Sequence, residues 1–148
     1  MAYKEIEIPG GGTSFSERPS IEISGGGNEN VVVRVTYNAG YVEDAPRHRG
    51  ELTFRTVLEF RFIDEMASYE EHDRHLDDGT LGLVEIVDSE YVRTMLERSP
   101  KAIGPAGRKL ADTIPDDGIH HYRLLFDDFG QIDVIALAVE VKELIAVS

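Results

Sequence analysis

Apolar and polar side chains alternate along two long stretches in the first half of the chain, a pattern typical of β-strands with one buried face. Residues 30–37 place three valines and Tyr37 on the same side. Residues 51–63 place five large apolar side chains on one side: Leu52, Phe54, Leu58, Phe60 and Phe62. Arginine, glutamate and threonine occupy the other side. This alternation predicts an antiparallel sheet with one face toward water.

A third alternating stretch near the end of the sequence predicts a β-hairpin. Residues 121–126 form its first strand, residues 127–130 a four-residue turn, and residues 131–143 the returning strand. Gly130 suits the turn because glycine adopts positive φ without steric cost. The returning strand is apolar on both sides. It is therefore expected to be central and covered on both faces.

Two short segments repeat one pattern, an alternating triplet, then one further residue, then three glycines. Ile6–Ile8 and Ile21–Ile23 are the triplets, and each predicts a short strand that ends in a turn. A phosphate-binding loop would need a helix directly after the glycines. Neither triplet is followed by a helical pattern.

One helix is predicted after a short strand at residues 81–87. Asp88-Ser89 resembles a helix N-cap, and Val92, Met95 and Leu96 follow at helical spacing. Residues 64–78 and 99–119 read as loops. The prediction is a single domain, residues 1–148, that is mainly β. Its expected form is an antiparallel β-sandwich or a curved, barrel-like sheet with one short helix; an α+β layer is the alternative.

The charge balance restricts the partners. The chain has 28 acidic and 15 basic residues, a net charge of −13, and no cysteine. Nucleic acid and anionic membranes repel such a protein. Without cysteine there is no disulfide or thiolate zinc site. No apolar stretch reaches the roughly 20 residues that span a bilayer. We therefore expect a cytoplasmic protein that binds neither nucleic acid nor membrane.

Two histidines in an acidic run are candidate metal ligands. His72 and His75 lie three residues apart among the carboxylates of residues 70–78. Imidazole and carboxylate together suit a divalent transition metal. The spacing matches no zinc signature, and a wet surface loop is the competing interpretation. A small metal-assisted hydrolase that uses this region is the alternative function.

Five basic residues form a candidate binding surface in this acidic chain. They are Arg93, Arg98, Lys101, Arg108 and Lys109. Residues 64–78, by contrast, are strongly acidic. Blocks of opposite charge can steer a protein partner or pair with each other in a homodimer. A small anion beside Gly104 and Gly107 is a further alternative.

Two other groups favour structural roles. In a strand, His120 and His121 point to opposite faces, so one is expected in the core and one at the surface. Asp127 and Asp128 suit a hairpin turn. No Gly-x-Ser-x-Gly sequence supports a serine hydrolase.

The leading hypothesis is a non-catalytic binding or protein-interaction domain without a cofactor, which acts by neutralising a basic partner or by forming a homodimer.

Overall fold

The computed structural model describes residues 2–11, 19–27, 29–39, 48–64, 82–98, 118–126 and 130–144. In order, the elements are β1 (Ala2–Ile6), β2 (Ser20–Gly26), β3 (Glu29–Ala39), β4 (His48–Asp64), β5 (Gly82–Val87), α1 (Glu90–Arg98), β6 (His120–Phe126) and β7 (Gly130–Leu144). All seven strands join one sheet in the order β1-β5-β6-β7-β4-β3-β2. Every neighbouring pair is antiparallel. The predicted mainly β class is confirmed, as one curved antiparallel sheet that is not closed, with one short helix.

One face of the sheet, called the core face, carries the hydrophobic core. Its buried members are Ile8, Val33, Val35, Tyr37, Ala39, Leu52, Phe54, Leu83, Tyr122, Leu124, Ile132, Val134 and Ala136. The sheet curves around this face, and the rings of Phe54 on β4 and Tyr122 on β6 lie 5.5 Å apart across the intervening β7. The side chains expected on the core face of residues 30–37 are found there.

The segment after β1 crosses from one edge of the sheet toward the other. β1 pairs with β5, yet the Tyr37 hydroxyl on β3 donates a 2.8 Å hydrogen bond to the Pro9 carbonyl. Burial, reinforced by Glu143, raises the pKa of Tyr37, so the hydroxyl keeps its proton. Gly10 has a φ of 70°, and a Cβ there would lie 2.7 Å from the Ala39 Cβ. Glycine therefore permits this close crossing.

The alternation expected in residues 51–63 is broken at two points of β4. Thr56 has a φ of 54°, and a bulge lies between Val57 and Glu59. The prediction that Leu58 shares the core face is therefore wrong: Leu58 is the extra residue of the bulge, and Val57 packs against the core instead. Phe62 lies opposite Ile132 but is 43 % exposed.

β7 occupies the centre of the sheet, as expected. Residues 130–136 are buried, whereas residues 138 and 140–143 are exposed, so the expected cover on both faces holds only for the first half. The hairpin is confirmed with a shorter connection, because Phe126 pairs with Gly130 and Gly130 already belongs to β7. The strand expected at Ile6–Ile8 ends at Ile6, and Ile8 turns into the core.

The predicted helix is present as α1, and its start is the expected one. The Val92 amide donates to the Ser89 hydroxyl at 3.1 Å, and the Arg93 amide donates to the Ser89 carbonyl at 3.1 Å. Ser89 is therefore the N-cap. In the part of the chain that the structure describes, no helix has the length and apolar character needed to cross a membrane.

Candidate functional site

A polar cluster lies on the face of the sheet opposite the core face, called here the second face. Strand register places Arg123, Asp133 and Arg61 side by side on β6, β7 and β4. In the next row, His121 lies opposite Ile135, which lies opposite Glu59. Side chains directly opposite in an antiparallel pair share a face and are close enough to touch. The topology thus gathers charged residues from the β6–β7 hairpin and from β4, which is distant from it in the sequence.

Asp133 is the centre of this cluster and is buried. Arg123 binds it with two parallel hydrogen bonds, Nε to Oδ1 at 2.9 Å and Nη2 to Oδ2 at 3.0 Å. His121 Nε2 lies 3.0 Å from Oδ2, and Gln131 Nε2 donates to Oδ1 at 3.3 Å. Arg61 Nη2 reaches Oδ2 at 3.4 Å. A buried charge requires this degree of compensation.

The surroundings keep Asp133 ionised. Burial alone would raise its pKa, but the hydrogen bonds from His121 and Arg123, together with the charge of Arg123, outweigh burial and lower the pKa to about 2. A carboxylate accepts hydrogen bonds and donates none. His121 Nε2 must therefore carry the hydrogen in this contact.

His121 connects Asp133 to the start of the helix. Its Nδ1 lies 2.7 Å from the Ser89 Oγ. The same Oγ accepts a hydrogen bond from the Val92 amide at 3.1 Å. The chain of bonds therefore runs from the helix N-terminus through Ser89 and His121 to Asp133.

This Ser89–His121–Asp133 chain contains the residue types of a nucleophilic triad, but its geometry differs from one. In the serine-protease arrangement the serine faces Nε2 and the aspartate faces Nδ1. Here the two nitrogens are exchanged. Ser89 is only 7 % exposed and His121 only 1 %. The Ser89 oxygen is also engaged as the N-cap. The arrangement is that of a buried anchor that fixes α1 to the sheet.

Tyr91 forms the outer rim of the cluster. Its hydroxyl donates to Glu59 Oε1, and the Arg61 guanidinium lies 4.6 Å from its ring centroid. The ring also lies 5.9 Å from the His121 ring. The first turn of α1 is thus held at two places, by Ser89 from inside and by Tyr91 from outside. Cation–π contacts of this kind contribute roughly 0.5–2 kcal/mol.

A second candidate surface is the edge strand β2. Its residues are exposed from Ser20 to Gly25, and among the described strands it pairs only with β3. Ile21 is 37 % exposed and Ile23 is 60 % exposed, both on the side of the core face. Between them, Glu22 lies on the second face with its side chain 71 % exposed.

Most of the predicted site residues fall elsewhere. His72, His75, Lys101, Arg108 and Lys109 lie outside the described residues. Arg93 is exposed on α1; Arg98 ends this helix, and nothing is described of its side chain. Within the described ranges, no group of three or more histidine, aspartate or glutamate side chains could hold a metal ion.

The two adjacent histidines behave as the strand pattern predicts. His121 is buried on the second face, whereas His120 is partly exposed and its Nδ1 lies 3.1 Å from Glu85 Oε1. The roles of Ser89, Arg123 and Asp133 in the cluster were not predicted from the sequence. For Arg123 and Asp133, the signal that could have revealed the contact is the hairpin register, which sets them opposite each other within two apolar strands.

Comparison with known protein families, with curated proteins and with solved structures finds no match to this chain. Its function must therefore be inferred from the residues themselves.

Proposed function

We propose that this protein is a non-catalytic protein-interaction domain that receives an extended segment of a partner along β2. The observation that carries this proposal is the exposure of β2 along one edge of the sheet. An edge strand presents backbone N–H and C=O groups that an added strand can pair with. Main-chain hydrogen bonds then supply affinity, and the alternating side chains supply specificity.

The side chains of β2 support an added strand. Ile21 and Ile23 continue the core face outward, next to the buried Val35 and Val33 of β3. Exposed apolar side chains at a sheet edge lose contact with water when a neighbouring strand covers them. A partner strand would therefore extend the core face by one strand.

The buried cluster supports a non-catalytic role. The Ser89 hydroxyl, the His121 ring and the Asp133 carboxylate bond one another, and all three residues are buried. Such a network positions α1 and the strands beneath it. In this proposal the buried network has a structural role, and the exposed edge strand β2 is the binding surface.

The charge of the chain supports a basic partner. A net charge of −13 accelerates encounter with positively charged proteins and repels nucleic acid and anionic membranes. The proposal includes a cytoplasmic location, supported by a sequence without cysteine. It also keeps Arg93, Arg98, Lys101, Arg108 and Lys109 as a second contact surface for an acidic segment of the partner or of another copy.

Selection from a library of random linear peptides tests the proposal, because it samples many partner sequences at once. We expect wild-type protein to enrich extended peptides that no longer bind an Ile21→Thr, Ile23→Thr variant, since threonine retains strand propensity but removes apolar contact. Val141→Thr is the matched control, because Val141 is 39 % exposed on β7, away from this edge. Peptides that bind all three proteins equally, or no enrichment, would reject the proposal.

The alternative function is a metal-assisted hydrolase at His72 and His75. The observation in its favour is the run of carboxylates around the two imidazoles. Metal analysis, with thermal-shift assays in zinc, manganese and nickel, tests it. A stoichiometric metal that is lost in a His72→Ala, His75→Ala variant would favour this function over the interaction domain.

A further inference from the structure

We infer that the segment received by β2 carries an apolar–cation–apolar triplet, with lysine or arginine opposite Glu22. This inference rests on the proposed function of β2 and adds the chemistry of its partner. Its basis is the strand that β2 already binds inside the protein.

β3 is the internal example of a strand that fits β2. The three central residues of β2 pair in register with β3, Ile21 with Val35, Glu22 with Arg34 and Ile23 with Val33. The inner neighbour thus presents an apolar–arginine–apolar triplet. Cross-strand apolar pairs and opposite charges both stabilise antiparallel pairing.

An outer neighbour would meet the same three side chains. Strand side chains project above and below the sheet, so each lies between its two neighbouring strands. The Arg34 guanidinium is shared between two carboxylates. Its Nε is 3.5 Å from Glu51 Oε1, whereas its Nη1 is 3.9 Å from Glu22 Oε1. The Glu22 side chain remains 71 % exposed and can pair with a second cation.

The backbone of β2 sets the length of the binding segment. The ladder to β3 is regular from Ser20 to Ser24, and a register shift follows between Ser24 and Gly26. Gly25, Gly26 and Gly27 all have positive φ, so the strand turns away at this point. The regular ladder covers five residues, and Glu22 is the central one.

The same residues argue against a second copy of β2 as the occupant. Glu22 is the single charged residue between Ser20 and Gly26. In an antiparallel pair of two β2 strands, neither strand offers a cation to the other. A heterologous strand with lysine or arginine at its centre satisfies Glu22 better, which agrees with the overall negative charge.

Two nine-residue peptides with alternating valine and threonine, one with a central Val-Arg-Val and one with Val-Glu-Val, test the inference on the full-length chain. Amide NMR shifts report binding at Ile21, Glu22 and Ile23. We expect wild-type protein to bind the arginine peptide about threefold more tightly than the glutamate peptide. Glu22→Lys should reverse the preference.

Controls separate strand pairing from non-specific attraction. Glu5→Lys changes the net charge equally on the opposite edge strand β1, so it should retain the preference for arginine. An arginine peptide of equal charge whose flanking valines are replaced by proline should not shift the β2 amides, because proline cannot donate to the ladder.

The other outcomes have defined meanings. If both peptides shift the β2 amides equally and Glu22→Lys changes nothing, the triplet inference fails while docking at β2 stands. If neither peptide shifts these amides, docking at β2 fails too. A concentration-dependent dimer that Ile21→Thr, Ile23→Thr makes monomeric would show that a second copy occupies β2, and would also reject the inference.

Discussion

The Ser89 hydroxyl lies 2.7 Å from His121 Nδ1, so the residue that begins α1 is bonded to a buried ring near the centre of the sheet. One serine thereby has two roles. It caps the helix through the Val92 amide, and its hydroxyl is hydrogen-bonded to Nδ1 of a histidine whose other nitrogen faces Asp133. The position of the helix consequently depends on the ionic pair beneath it.

Replacement of Ser89 by alanine should destabilise the protein by about 2–3 kcal/mol, because it removes a helix cap and leaves a buried histidine nitrogen without its partner. Urea denaturation measures this change. Ser24→Ala, at an exposed serine of β2, is the control and should leave stability within about 0.5 kcal/mol. A fluorophosphonate probe should not label Ser89; rapid labelling would contradict its assignment as an anchor.

Asp133 should make the protein acid-sensitive in a defined range. Its pKa in the folded state, about 2, lies below the ordinary value of 3.8, so the ionised form stabilises the fold above pH 4. This contribution, about 2 kcal/mol, is lost as the pH falls from 4 toward 2. Urea unfolding at a series of pH values measures it.

The matched variant for this profile replaces the buried pair by apolar residues. Arg123→Met with Asp133→Leu removes both partners of the bidentate ion pair together, so neither is left buried without the other. Its stability should depend less on pH between 4 and 2 than that of the wild type. A substitution at the exposed Glu29 should retain the wild-type profile. Equal acid sensitivity in the double variant would show that Asp133 is not the responsible group.

Gly50→Ala should destabilise the protein by more than about 2 kcal/mol through overpacking. A Cβ at Gly50 would lie 2.3 Å from the Cζ and hydroxyl of Tyr37, which is buried and bonded to Pro9. The same substitution should cost less in a Tyr37→Leu background, where the ring is gone. Thermal unfolding of the four proteins tests this, and additive effects would contradict it.

Thr56→Gly should stabilise the protein by about 1 kcal/mol, since Thr56 is a β-branched residue held at a φ of 54°. Thr36→Gly is the control at a regular position of β3, where glycine should destabilise by about 1 kcal/mol. Denaturation experiments should show that Thr56→Gly raises the free energy of unfolding and that Thr36→Gly lowers it. A loss of stability at both positions would argue against strain at Thr56.

The alternating sequence predicted the strands well where pairing is regular. In residues 30–37 the alternation is unbroken. The valines that alternation predicts to face inward are therefore the ones that contact the core. Prediction failed at β4, because positive φ at Thr56 and the bulge at Leu58 each change which side faces inward. Threonine rarely adopts positive φ, so the sequence contains no local signal that predicts this bend.

The polar cluster was harder to predict than the fold. His121 was correctly expected as a candidate core histidine, and Ser89 as part of the helix cap. Their contact depends on where α1 lies over the sheet, which no local pattern specifies. Arg123 and Asp133 could have been paired from the hairpin register alone, provided the three-residue connection had been recognised.

The pairing of β1 with β5 has a consequence for the order of folding during synthesis. Ile6 lies opposite Leu83, and Arg55 on β4 lies opposite Ala138 on β7. Each contact closes a loop of about 80 residues, and such non-local topology slows folding. On the ribosome, β1 must wait for β5 to emerge, and β4, which can already pair with β3, must wait for β7 on its other side. We expect the nascent chain to acquire protease resistance only after β7 has left the exit tunnel.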